Sequence, residues 1–277
     1  MNSTVETPSG KGAQDENFPV AQLFPSSLRP AINCYYAFAR AIDDVADNPH
    51  LSGGEKIRRL DGFDQSLTGG SDDPAYIKGT AVRTLFTEKN IPLAHARDLI
   101  IAFKQDAVKL RYKDWDDLIG YCLNSASPVG RFLLDLHQED RAAYLQSDAL
   151  CNALQVINHL QDCKGDFAQM NRVYIPEPWL HEAGIDVSVL AADKANNNLR
   201  FVMNRCLDGV EQLMIVAREL PYLMKNPQLA RNCQVIVMIA DKLAIKLRRE
   251  DPIAGRVQLN KFQFFTFLLR GFIRMSW

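Results

Sequence analysis

Tyr36-Ala-Phe-Ala-Arg-Ala-Ile-Asp-Asp-Val-Ala-Asp47 places three carboxylates in an apolar helical run where core packing has no use for them. On a helix, positions 36, 40, 43 and 47 share one stripe. Tyr36, Arg40, Asp43 and Asp47 therefore face one way, while Phe38, Ile42 and the alanines take the other faces. Like charges one turn apart cost about 0.2–0.5 kcal/mol on a bare helix. A divalent cation would offset that repulsion.

A second stretch repeats the device. In Gln155-Val-Ile-Asn-His-Leu-Gln-Asp-Cys-Lys-Gly-Asp166, one stripe lines up Gln155, Asn158, Asp162 and Asp166. Two polar stripes, each on a largely apolar helix, predict an all-α single domain whose helices surround a central cavity lined with hard oxygen ligands. An acidic triplet taken singly reads as a solvated face; the pairing of the two stripes turns the reading toward a metal site.

The rest of the chain is helical in pattern. Residues 1–16 are polar and read as a disordered tail with no assigned role, and 17–277 as the helical domain. Pro30 opens the first long helix, which runs to about Asp47, and Ser52 caps the next. Further helices are expected over about 74–89, from Ala94 to about Val108, and over 115–137. Pro128 should kink the last of these or free its carbonyls, and the small residues Ser125, Ala126, Ser127 and Gly130 leave room beside it. The second aspartate helix spans about 148–168, and Asn171-Arg-Val-Tyr-Ile-Pro176 reads as extended. Helices over about 195–220, 228–249 and 259–273 complete the chain.

Composition removes several classes of function. Lysine and arginine number 32 against 33 acids, so no basic field for nucleic acid exists. Six cysteines show no C-x-x-C spacing, which argues against a zinc site or a disulfide framework and for a reducing, cytoplasmic setting. No stretch has the length of a membrane span or the apolar core of a signal peptide. The helix from Leu259, with Phe264, Phe265, Leu268, Leu269 and Phe272 beside Lys261 and Arg270, is a candidate for peripheral contact at the inner membrane face, against the alternative of core packing.

Oxygen-only stripes suit Mg²⁺, which shares its sites between carboxylates, waters and substrate phosphates. A diphosphate held by both helices would leave as its C–O bond breaks, and the carbocation left behind needs apolar and aromatic walls. Tyr36, Phe38, Tyr121, Phe132 and the group Phe262, Phe264, Phe265 and Phe267 are candidates for those walls.

Tyr36-Ala-Phe-Ala-Arg-Ala-Ile-Asp-Asp, Tyr121-Cys with Pro128-Val-Gly130, Gln155-x-x-Asn158-x-x-Gln-Asp162-x-x-x-Asp166 and Arg172-Val-Tyr-Ile-Pro176 together resemble the squalene/phytoene synthase family. Glu16-Asn-Phe-Pro-Val-Ala21, Phe103-x-Gln-Asp106 with Arg111-Tyr112, and Ser125-Ala-Ser-Pro-Val-Gly130 resemble its hydroxysqualene synthase branch in bacterial hopanoid pathways. The resemblance implies an isoprenoid-synthase fold and Mg²⁺-dependent conversion of presqualene diphosphate and water to hydroxysqualene and diphosphate. It implies catalytic roles for Asp43, Asp44, Asp47, Asp162 and Asp166, with metal held by Asp43, Asp47, Asn158, Asp162 and Asp166. It places Tyr36, Arg40, Tyr121, Ser125, Gly130, Gln155, Asn158, Arg172, Tyr174 and Arg256 on the substrate, and makes a downstream oxidoreductase of the squalene pathway a candidate partner. The alternatives within the family are presqualene diphosphate, squalene or phytoene synthesis; outside enzymes, a non-catalytic assembly factor on the same fold.

Three departures carry expectations of their own. Gln161 stands where many family members have Arg, and the favoured branch also has Gln there. Lys164, between Asp162 and Asp166, is expected on the helix exterior, and Asn171 stands where Gly is common. Of the five histidines, His159 adjoins the second polar stripe and reads as a satisfied wall residue, against the alternative of ordering water or diphosphate, and His50, His95, His137 and His181 read as surface or loop residues.

Overall fold

The computed structural model describes residues 5–7 and 24–260. Among these the chain is all α, without a strand. Its helices are α1 (Arg29–Ala46), α2 (Gly53–Thr68), α3 (Ile77–Lys89), α4 (Ala94–Asp106), α5 (Trp115–Ser125), α6 (Ser127–Leu136), α7 (Tyr144–Met170), α8 (Glu177–Glu182), α9 (Asn197–Ala217), α10 (Leu220–Leu223) and α11 (Pro227–Arg249). The expected helix over 259–273 and the Phe262–Phe267 group lie outside the described residues.

The residues group into two compact units: the chain to Val108 with Arg131–Gln138, and Lys109–Gly130 with the chain from Glu139. In the first, α1 packs on α2, α3 and α4. Pro30 sits in its first turn, where the missing N–H costs nothing, and Phe38, Ala41, Ile42 and Val45 are fully buried. The Tyr35 ring lies 4.3 Å from Phe132 and 5.5 Å from Phe86 between centroids, and Phe38 meets Phe63 edge-on at 6.0 Å. Each such side chain contributes about 1.5–3 kcal/mol on burial, and well-set ring pairs about 0.5–1.5 kcal/mol more. Ser52 caps α2 by accepting from the Glu55 N–H, and Gly69 ends it with φ 83°.

Residues 5–7, within the stretch given no role above, dock on this unit. Glu6 is buried against Lys78, Nζ to Oε1 2.6 Å, and Arg59 donates to the Val5 carbonyl.

The second unit is built on α7, whose 27 residues make it about 40 Å long. It packs against α9, α11 and α5, burying Leu150, Ala153, Val156, Ile157 and Leu160, and so leaving its polar stripe on another face. Glu139 accepts from the N–H groups of Lys225 and Asn226, both at 2.8 Å, at the start of α11. That pins the turn leading into α11, whose own first N–H groups, of Gln228 and Leu229, are capped by the Asn226 side chain. The single helix expected over 115–137 is two: Ala126, between α5 and α6, has φ −121° and ψ −47°, and Pro128 falls in the first turn of α6. A proline ring tolerates that position, whereas mid-helix it would clash with the preceding turn.

Candidate active site

On α1 the apolar faces are buried, and Tyr36, Arg40, Asp43 and Asp47 remain partly exposed as one stripe. Arg40 holds two of the acids: Nη1 lies 2.9 Å from Asp43 Oδ2, Nη2 lies 3.0 Å from Asp44 Oδ1, and Nε donates to the same Asp44 oxygen at 3.1 Å. Asp44 is buried beneath that guanidinium.

Asp43 is pushed up to about 7, first by burial and then by Asp47, with Asp106 and Asp44 adding to the repulsion that Arg40 only partly relieves. Asp106, buried at the end of α4, is the group that sequence reasoning used only as a marker of resemblance. Its part in this electrostatics depends on α4 folding against α1, which no spacing reveals.

On α7, Gln155, Asn158 and Asp166 are partly exposed and Asp162 is exposed. Lys164 Nζ donates to the Ala192 and Ile253 carbonyls at 2.8 and 3.3 Å, tying the helix to its neighbours. Gln161 Nε2 donates to the Val257 carbonyl and so holds the residue next to exposed Arg256 against α7.

After α7 the chain turns at Asn171, with φ 52° and ψ 28°, whose N–H bonds back to the last turn. A left-handed residue at a helix end explains why glycine suits the position and why asparagine serves. Arg111 fixes the turn through the Asn171 carbonyl and, at 2.7 Å, its side-chain oxygen. The segment then runs extended: Val173 N–H donates to Leu110 O and Glu177 N–H to Tyr112 O, both at 3.0 Å.

This pairing gathers Tyr112, Tyr121, His159, Arg172 and Tyr174 in one buried cluster. Tyr174 stacks on His159 at 3.5 Å and on Tyr112 at 5.4 Å, while Tyr121 lies 5.9 Å from His159. Arg172 Nη1 donates to Tyr174 Oη at 3.3 Å. Burial, and then the Arg172 charge, hold His159 down to about 3.

Gly130 has a packing reason. A Cβ there would meet Ser147 Oγ at 2.3 Å and Cys151 Sγ at 2.7 Å, both on α7.

Two histidine expectations fail. His95 is neither surface nor loop: it is 3% exposed, with Nε2 2.8 Å from Asp135 Oδ2, because α4 turns it inward and a carboxylate meets it there. His159 is buried but not satisfied, since Nε2 has no hydrogen-bond partner.

Among the described residues no three His, Cys, Asp or Glu side chains are grouped so as to hold a metal ion by themselves. Mg²⁺ is characteristically held by one or two carboxylates plus substrate oxygens, and the carboxylate excess around Asp43 fits such an ion.

Residues 11–263 match the squalene/phytoene synthase family. The chain belongs to that family. Among its relatives, hydroxysqualene synthase of Rhodopseudomonas palustris is 40% identical over 270 residues, 95% of this chain and 90% of that protein. The Zymomonas mobilis hydroxysqualene synthase is 40% identical over 256 residues, 91% of this chain and 86% of that one. The crystal structure of squalene synthase HpnC from Alicyclobacillus acidocaldarius superposes with TM-score 0.72 at 31% identity, covering 83% of this chain and 86% of that one. A dehydrosqualene synthase structure, at 19% identity and TM-score 0.79 over 94% of this chain and 91% of its own, shares the fold. The isoprenoid-synthase architecture that the resemblance implies is therefore the one this squalene/phytoene synthase family member has.

Proposed function

We propose that this chain is a hydroxysqualene synthase, converting presqualene diphosphate and water to hydroxysqualene and diphosphate. Identity of 38–40% to three hydroxysqualene synthases over 91–95% of the chain carries the reading. In this proposal Asp43 and Asp47 on α1 and Asn158, Asp162 and Asp166 on α7 hold Mg²⁺ for the diphosphate. Bound there, the ion supplies Lewis acidity and neutralises charge on the leaving group.

The chain's own residues do the rest. Arg40 orients Asp43 and Asp44, and its contact with the diphosphate comes in addition to that work. Arg172 gives the second unit a buried cation for diphosphate oxygens. Tyr36, Tyr121, Tyr174 and Gln155 line the path of the hydrocarbon, the rings offering π faces to the cation without a strong nucleophile. Ser125, Gly130 and Arg256 complete the substrate contacts.

A second reading, condensation of two prenyl diphosphates to squalene in one enzyme, is favoured by the name of the Alicyclobacillus structure. Supplying farnesyl diphosphate alone, with Mg²⁺, separates the two. Hydroxysqualene synthase leaves it unchanged, and turnover establishes the second reading.

A further inference from the structure

The Tyr112–Tyr121–Tyr174 cluster is buried, and Arg172 and His159 are the polar side chains that join its rings. His159 is 7% exposed, and its Nε2 has no hydrogen-bond partner, a condition that native proteins relieve with ordered water. The ring cannot rotate away from it. Tyr174 lies flat on it, 12° from parallel, and Tyr121 closes a second side. His159 stands one turn after Gln155 and one before Asp162, on the polar side of α7. One turn beyond Tyr121, α5 carries Ser125, whose Oγ is likewise buried and without a partner.

We infer that His159 seats the water that the reaction consumes, with Nε2 as its hydrogen-bonding anchor. This rests on the hydroxysqualene synthase reading. Aromatic π faces stabilise a carbocation, and capture by a tyrosine hydroxyl would give an ether bound to the protein, so an alcohol product requires a water fixed at a set place. In the capture step the water oxygen gives a lone pair to the cationic carbon, and the new C–O bond replaces the one lost with diphosphate. The oxonium proton passes to the released diphosphate. His159 makes and breaks no covalent bond and is a positioning residue.

The test incubates full-length protein, Mg²⁺ and presqualene diphosphate, and measures both diphosphate release and the share of alcohol among extracted products. His159→Phe keeps the ring packing and removes the anchor. It should still release diphosphate while the alcohol share falls about tenfold or more in favour of hydrocarbons formed by proton loss, and His159→Gln should recover most of the alcohol. An unchanged alcohol share in His159→Phe overturns the inference. So does a parallel loss of release and alcohol in both variants, the mark of a packing role. Wild-type protein that releases no diphosphate from presqualene diphosphate overturns the functional reading instead, and this inference with it.

Discussion

At Asp43, Asp47, Asp106 and Asp44 together outweigh Arg40, so the fold concentrates negative charge that it does not itself neutralise. Such a residue serves a ligand at the expense of the fold. Asp43→Asn should lower turnover of presqualene diphosphate by about 10²-fold or more, while thermal unfolding without Mg²⁺ shows an equal or higher midpoint; a lower midpoint would make Asp43 structural. Asp106 and His95 were not legible in the sequence as contributors, because each acquires its role only when α4 packs. For His95 the sign follows from burial, which depresses the imidazole despite the Asp135 hydrogen bond, with Arg131 lowering it and Asp98 raising it. The unfolded chain then binds more protons as pH falls below about 6.5, so the contribution is present above that value and lost below it. Urea midpoints followed from pH 8 to 5 should fall, and fall less in His95→Gln.

At the scale of elements, the helices were readable wherever caps and punctuation agreed. Ser52, Pro30 and the left-handed Asn90 and Asn171 stand at their ends, whereas the kink expected at Pro128 is a full break at Ala126, two residues earlier. The early start of α7 at Tyr144 was not, because the short turn over Arg141–Ala143, capped by Asp140, feeds it without a proline or glycine signal. The reason for Gly130 was hidden too, since its neighbours Ser147 and Cys151 lie on another helix. Gly130→Ala should destabilise by about 1–3 kcal/mol in denaturant titrations, with Ser147→Ala in the same chain restoring part of it. Asn171→Gly should be nearly neutral, whereas Asn171→Val, forced into the left-handed region, should cost about 1–2 kcal/mol and loosen the segment that carries Arg172 and Tyr174.

For the whole molecule, the two polar stripes and the family motifs were legible because side chains one helical turn apart stay together whatever the tertiary arrangement. The aromatic cluster was not, because it is assembled from residues on α5, α7 and two loop segments. All six cysteines are thiols, and burial pushes Cys163, Cys206 and Cys233 up to about 12. Since Cys122 is buried as well, a thiol reagent should titrate no more than the half-buried Cys34 and Cys151 in native protein and all six in urea. The same described residues contain no helix long and apolar enough to cross a membrane. The measurement that bears most directly on function is incubation of the purified protein with Mg²⁺ and presqualene diphosphate, without NADPH, followed by mass analysis of the extract. Hydroxysqualene that disappears on adding EDTA is the predicted result. Absence of turnover there, with diphosphate released from farnesyl diphosphate instead, would contradict it.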